Sequence, residues 1–106
     1  MLLCMIGLLA QNKKNLNEDV NTRSLEGAVT DANGKPVAAA VVQLKDTKTL
    51  LIRSYITQDD GTYHFAGLST NTEYEVKADH NGATSGSKTL SVFDSRKTAV
   101  INLKLK

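Results

Sequence analysis

Between Leu25 and Lys106 apolar and polar residues alternate almost one by one, and Asp31-Ala-Asn33-Gly34, Asp59-Asp60-Gly61 and His80-Asn81-Gly82 interrupt the alternation. A period of two puts successive side chains on opposite faces of a strand, and Gly after Asn or Asp supplies the positive φ that reverses the chain. Leu25, Gly27 and Val29 open the series. Ala40, Val42 and Leu44 follow after Pro36. Leu50 to Thr57 is β-branched and apolar, and Tyr63 and Phe65 flank His64 before Gly67-Leu68. Tyr74, Val76 and Ala78 make a fifth strand, Lys88–Phe93 a weaker sixth, and the last runs from Thr98. No segment has helical period and length. The pattern predicts an all-β domain of seven strands in two packed antiparallel sheets. The expected inward set is Leu25, Val29, Ala40, Val42, Leu44, Ile52, Tyr63, Phe65, Leu68, Tyr74, Val76, Ile101 and Leu103.

The start of the chain reads differently. Residues 1–10, MLLCMIGLLA, carry no charge, and Gln11 to Asn21 is polar and rich in Asn and Lys. Ten apolar residues are too few to span a hydrocarbon core, which needs about 20. They match the h-region of a signal peptide, with Ala10 as the small residue at the cut. No Lys or Arg precedes the run, and Leu8 stands where a second small residue is usual. The expected organisation is an h-region at 1–10, a flexible polar tether at 11–23 and a folded domain at 24–106. The chain is then secreted, periplasmic or at the cell surface, and it is cytoplasmic if residues 1–10 are not a signal. Cys4 follows Leu3 with only three residues upstream, which argues against lipidation; cleavage after Ala10 leaves no Cys for disulfides or thiolate metal sites.

The ordered series of strands and turns resembles a carboxypeptidase regulatory-like domain. The resemblance rests on Gly27-Ala-Val29-Thr-Asp31, Gly34-Lys-Pro36-Val37, Ala40-Val-Val42-Gln-Leu44, and Thr57-Gln-Asp59-Asp60-Gly61-Thr-Tyr63-His-Phe65 with Gly67-Leu68. Tyr74-Glu-Val76-Lys-Ala78, Gly82 and Ile101-Asn-Leu103 extend it. It implies a transthyretin-like Greek-key sandwich of secreted or surface proteins that stabilises, docks or spaces and does not catalyse.

Candidate chemistry is thin. Asp31, Asn33, Asp59 and Asp60 offer hard oxygens for Ca²⁺ if their two turns meet, although short acidic residues beside Gly are ordinary turn chemistry. His64 and His80 are the only histidines, too few for a zinc site without Cys, and no spacing ties a hydroxyl to either. The C-terminal Asn102-Leu-Lys-Leu-Lys106 lacks the tyrosine-rich signature of the urate-pathway hydrolase that shares the fold. Asn102 also invites a Lys–Asn isopeptide bond of the related collagen-adhesin domains, but it alternates onto a wet face with Lys104 and Lys106. Lys45, Lys48, Arg53, Lys77, Lys88, Arg96, Lys97, Lys104 and Lys106 are scattered, as charges that guard solubility usually are.

With 13 Lys+Arg against 11 Asp+Glu the net charge is +2, which argues against nucleic acid as partner. The expectation is a non-catalytic exported module without cofactor that contacts another envelope or extracellular protein, by addition of a strand to a free edge. The alternative is a carbohydrate- or peptidoglycan-binding module. A hydrolase is the third and poorest fit.

Overall fold

A computed structural model describes residues 22–106 of the chain, and the expected signal run, Cys4 and the tether up to residue 21 lie outside them. Nine strands form: β1 (Thr22–Thr30), β2 (Val41–Asp46), β3 (Ile52–Ile56), β4 (Thr62–Ser69), β5 (Tyr74–His80), β6 (Ala83–Thr84), β7 (Lys88–Leu90), β8 (Thr98–Val100) and β9 (Leu103–Lys104). One sheet has the order β4-β1-β8, with β9 also on β1; the other has β3-β2-β5-β6, with β7 also on β5. There is no helix among the described residues.

Two expectations change. The sheets are not wholly antiparallel, because β1 runs parallel to both β8 and β9. A hairpin would force opposite directions, but the first and last strands are joined through the whole of the second sheet, so nothing imposes one. The count of seven also gives way to nine. Asn81 and Gly82, both at positive φ, turn β5 back into the short β6, pairing His80 with Ala83. The expected last strand is split into β8 and β9, because the Asn102 side-chain oxygen takes the Ala28 N–H that a continuous ladder would bond to backbone.

Gly27 makes the split possible. A Cβ there would overlap the Ile101 carbonyl oxygen and stand 2.8 Å from its carbon. That carbonyl accepts the Tyr63 phenol, and Ile101 itself is only partly buried against the core it was expected to join. The inner faces bury Leu25, Val29, Ala40, Val42, Leu44, Tyr63, Phe65, Leu68, Tyr74, Val76, Ala78 and Leu103, together with Leu90, Ala99 and Leu105. Phe65 meets Tyr55 edge-on at 6.0 Å and Tyr63 at 5.9 Å, arrangements that ring quadrupoles favour.

Ile52 moves the other way. It stands 56% exposed on the outer face of β3, and the opposite face carries the half-buried Tyr55 and Arg53, which remains exposed. The guanidinium of Arg53 lies 5.6 Å from the Phe65 ring centre and donates to the Ala66 carbonyl. Thr57, buried just beyond the strand, accepts from Ala40 N–H and donates to Val37 carbonyl. This margin of the sandwich is half wet, so amphipathic chains with polar tips suit its inner side better than isoleucine.

The expected tether boundary at residue 23 falls inside β1. Arg23 is 2% exposed, and its guanidinium donates to four backbone carbonyls. Nε reaches Ser69, the last residue of β4, at 3.2 Å, and Nη2 reaches Thr72 in the β4–β5 connection at 2.8 Å. Nη1 reaches Ser91 at 2.9 Å and Asp94 at 3.1 Å, in the β7–β8 connection. The rigid fork of an arginine can fan out over two loops in this way, where the point charge of lysine cannot. The Asp94 carboxylate is held by Arg96, chiefly through a 2.6 Å hydrogen bond, which brings its pKa down to about 2, with a smaller contribution from the charge on Arg23.

Two outcomes test this packing. Phe65→Ala should cost about 3–5 kcal/mol in denaturant unfolding, while His64→Ala, one residue away on the wet face, should cost under about 0.5 kcal/mol. Arg23→Ala should cost at least about 3 kcal/mol, with Arg23→Lys recovering less than half of that loss, since four carbonyls lose a charged donor in a sealed site. An Arg23→Lys variant as stable as wild type would show that charge alone suffices there.

Candidate interaction surface

The residues with chemical potential are spread out, and several are already engaged. Asp31 Oδ1 accepts from the backbone N–H of Asn33 at 2.8 Å and Lys35 at 3.0 Å. Asp60 Oδ1 accepts from the backbone and hydroxyl of Thr62. These local hydrogen bonds hold both carboxyls below the usual carboxylate range, the Lys35 N–H foremost for Asp31 and the Thr62 hydroxyl for Asp60. The two turns do approach, since Val29 N–H donates to Gly61 carbonyl at 2.8 Å, but each aspartate faces into its own turn. Asn33 and Asp59 are exposed. Among the described residues no three of His, Cys, Asp and Glu gather in a group able to hold a metal ion.

His64 sits opposite Glu26 across the β1–β4 ladder, in a shallow groove it shares with Thr62 and Tyr63. A base next to a carboxylate and a hydroxyl is the outline of a hydrolytic site, but the Thr62 hydroxyl is donated to Asp60 at 2.7 Å and not to the imidazole. His80 lies in hydrogen-bond reach of the Asn81 amide at 3.2 Å. The three phenols are likewise committed: Tyr63 donates to Ile101 carbonyl, Tyr74 accepts from Ser69 N–H, and Tyr55 accepts from the Gln58 amide. Burial also pushes the Tyr63 phenol well above its ordinary pKa, so it stays protonated. Lys88 reaches the backbone carbonyl of Asn102 at 2.9 Å, and the Asn102 side-chain oxygen is held by Ala28.

What the fold leaves conspicuous is apolar. Leu50, Leu51, Ile52 and Ile56 are 65%, 69%, 56% and 57% exposed, and all four lie on or beside β3. This strand is the last of its sheet and pairs only with β2. Natural edges are commonly guarded by a charge or proline, but the one charge on β3, the exposed Arg53, lies over Phe65 on the face opposite Ile52 and Ile56. The turn that feeds the strand is built by Asp46, whose Oδ1 accepts from Lys48 and Thr49 N–H. It closes with Leu50 N–H donating to Asp46 carbonyl, and it leaves Leu50 at φ 67°. A leucine in the left-handed region is strained by roughly 1–2 kcal/mol, and here its side chain, 65% exposed, recovers little by burial. Replacement by glycine removes that strain at an entropic cost of about 0.5–1 kcal/mol. Leu50→Gly should therefore leave thermal stability equal or higher, measured by calorimetry; a drop in melting temperature would show that the leucine side chain holds the turn.

Among the described residues no helix is long and apolar enough to cross a membrane. No curated protein matches the chain. Solved structures match over most of it at low identity. The TIE protein of Bacillus anthracis superposes with a TM-score of 0.62 at 21% identity, over 80% of this chain and 16% of that one. BcpA, the major pilin subunit of Bacillus cereus, gives 0.62 at 12% identity, over 80% and 30%. A catechol 1,2-dioxygenase from Acinetobacter gives 0.60 at 15%, over 80% and 52%. The chain thus spans about half of that dioxygenase and less of the other two, and at such identities the likeness establishes a shared β-sandwich fold. The carboxypeptidase regulatory-like domain model matches residues 24–106, nearly the whole of what the structure describes. Sequence pattern, two-sheet fold and family model agree, and the chain belongs to the carboxypeptidase regulatory-like domain family.

Proposed function

We propose that this chain is a non-catalytic, exported β-sandwich module whose work is protein–protein contact or spacing at the cell envelope or surface. The observation that carries the reading is the concentration of large exposed apolar side chains, Leu50, Leu51, Ile52 and Ile56, on one free sheet edge. Catalysis needs convergent groups, and here the hydroxyls, phenols and carboxylates of the turns and core are occupied with holding backbone. Strand addition needs an unpaired edge flanked by apolar side chains, which β3 provides. Membership in a family of non-catalytic modules supports the same reading, as does the apolar run at residues 1–10 with Ala10 placed for cleavage.

A carbohydrate-binding role is the alternative, and it fits less well. Sugars stack on exposed rings, and Phe93, at 91% exposure, is a single ring on a loop with no second beside it in the ring pairs of the fold. Two measurements decide. Photo-crosslinking from position 56 in the native cell, followed by fractionation, should place the chain outside the cytoplasm in adducts with protein, while a crosslinker at Lys104 should give none. A cytosolic chain, or co-sedimentation with peptidoglycan sacculi in place of protein adducts, would overturn the reading.

A further inference from the structure

We propose that the partner at β3 is a second copy of this chain, joined edge to edge about a two-fold axis through Ser54; this rests on the contact-module reading above and names its occupant. The hydrogen-bond parity of the strand supplies the first argument. Thr57 N–H donates to Ala40 carbonyl, and Leu51 carbonyl accepts from Asp46 N–H. Odd-numbered residues of this segment therefore point their peptide groups at β2, and Ile52, Ser54 and Ile56 point theirs outward at the free edge. An antiparallel copy centred on Ser54 sets Ser54 against Ser54 and Ile52 against Ile56, so that three outward N–H and three outward C=O groups of each copy find each other.

The side chains supply the second argument. Ile52, Ser54 and Ile56 share the outer face with the β2 residues opposite them, Lys45, Gln43 and Val41. Pairing Ile52 with Ile56 of the other copy, twice over, covers apolar surface that is more than half exposed in the single chain. On the inner face the same register places Arg53 across from Tyr55 of the second copy, a cation against a ring, and no like charges meet. The segment Ile52-Arg-Ser-Tyr-Ile56 is thus self-complementary about its middle residue, as a two-fold contact requires. The other edges are poorer hosts. β4 has Arg53 on its Ala66 carbonyl, β6 and β7 are two and three residues long, and β8 and β9 are separated by the Asn102 interruption.

A single strand pair is a small interface, so the dimer should be concentration-dependent. Sedimentation equilibrium of the full chain should show the mass rising toward twice that of the monomer between low micromolar and about 100 μM. Ile52→Lys and Ile56→Glu should each leave a monomer at least tenfold weaker in association. The double variant Ile52→Lys/Ile56→Glu should dimerise again, because this register alone brings each introduced lysine onto the introduced glutamate of the other copy. Ser54→Pro removes an outward N–H and leaves the β2 ladder whole, so it should be monomeric with an unchanged melting temperature. A monomeric wild type overturns the proposal, as does a dimer indifferent to the single substitutions or a double variant as monomeric as the singles. A monomeric chain that still forms envelope adducts from position 56 would sink the dimer and leave the contact-module reading standing; a cytosolic dimer whose position-56 adducts contain this chain alone would do the reverse.

Discussion

The fold depends on how β1 is held. It is the middle strand of its sheet, with β4 on one side and both C-terminal strands on the other, and its first turn of backbone carries the buried Arg23. A cation removed from water is costly unless every donor finds an acceptor. Each nitrogen of Arg23 finds a carbonyl, from the end of β4 and from two connections remote in sequence, so the side chain ties the strand to both. Farther along, Gly27 lets the Ile101 peptide press against the same strand, and Tyr63 closes that contact from the opposite side. Packing in the sandwich is thus specified from one central element outward.

Much of this was legible in the residues. Alternation about Val42, Leu44, Tyr63, Phe65, Tyr74 and Val76 located the core strands, and the Asn81-Gly82 pair marked the turn that ends β5 but not the two-residue β6 beyond it, because alternation needs more than two residues to show. What the alternation does not encode is which of two apolar-bearing faces turns inward at a sheet margin. In Ile52-Arg-Ser-Tyr-Ile56 both faces carry bulk, and the choice is made by tertiary partners: the Phe65 ring for Arg53 and Tyr55, and the Val37–Ala40 backbone for Thr57. Arg23 was illegible for a related reason. It follows a run of Asn, Lys and Asp and reads as tether by composition, and only the closure of the distant loops gives its charge a place. Of the candidate site residues, Asp31 and Asp60 spend their oxygens on their own turns, a role that local spacing already suggested.

The same sandwich occurs within a pilin subunit and within dioxygenases, which shows how little the fold itself dictates about use. What differs between hosts of one fold is the material left on the outside. Here the phenols hold backbone and side-chain groups within the fold, Asp31 and Asp60 are held by their own surface turns, and the exterior keeps an apolar edge beside a strained leucine. Leu50, held at φ 67° and 65% exposed, belongs to that apolar edge.

The parallel seam between the first and last strands has a mechanical consequence. Thr22 opens β1 at one end of the seam, and Lys104 closes β9 at the other. Tension applied through the two ends of the domain would pull these neighbouring strands past each other along their length. The pairs from Ser24–Thr98 to Thr30–Lys104 would then bear the force together, in shear, and could not be unzipped one at a time. A domain joined in this way resists extension along its own axis far better than peeling from its side.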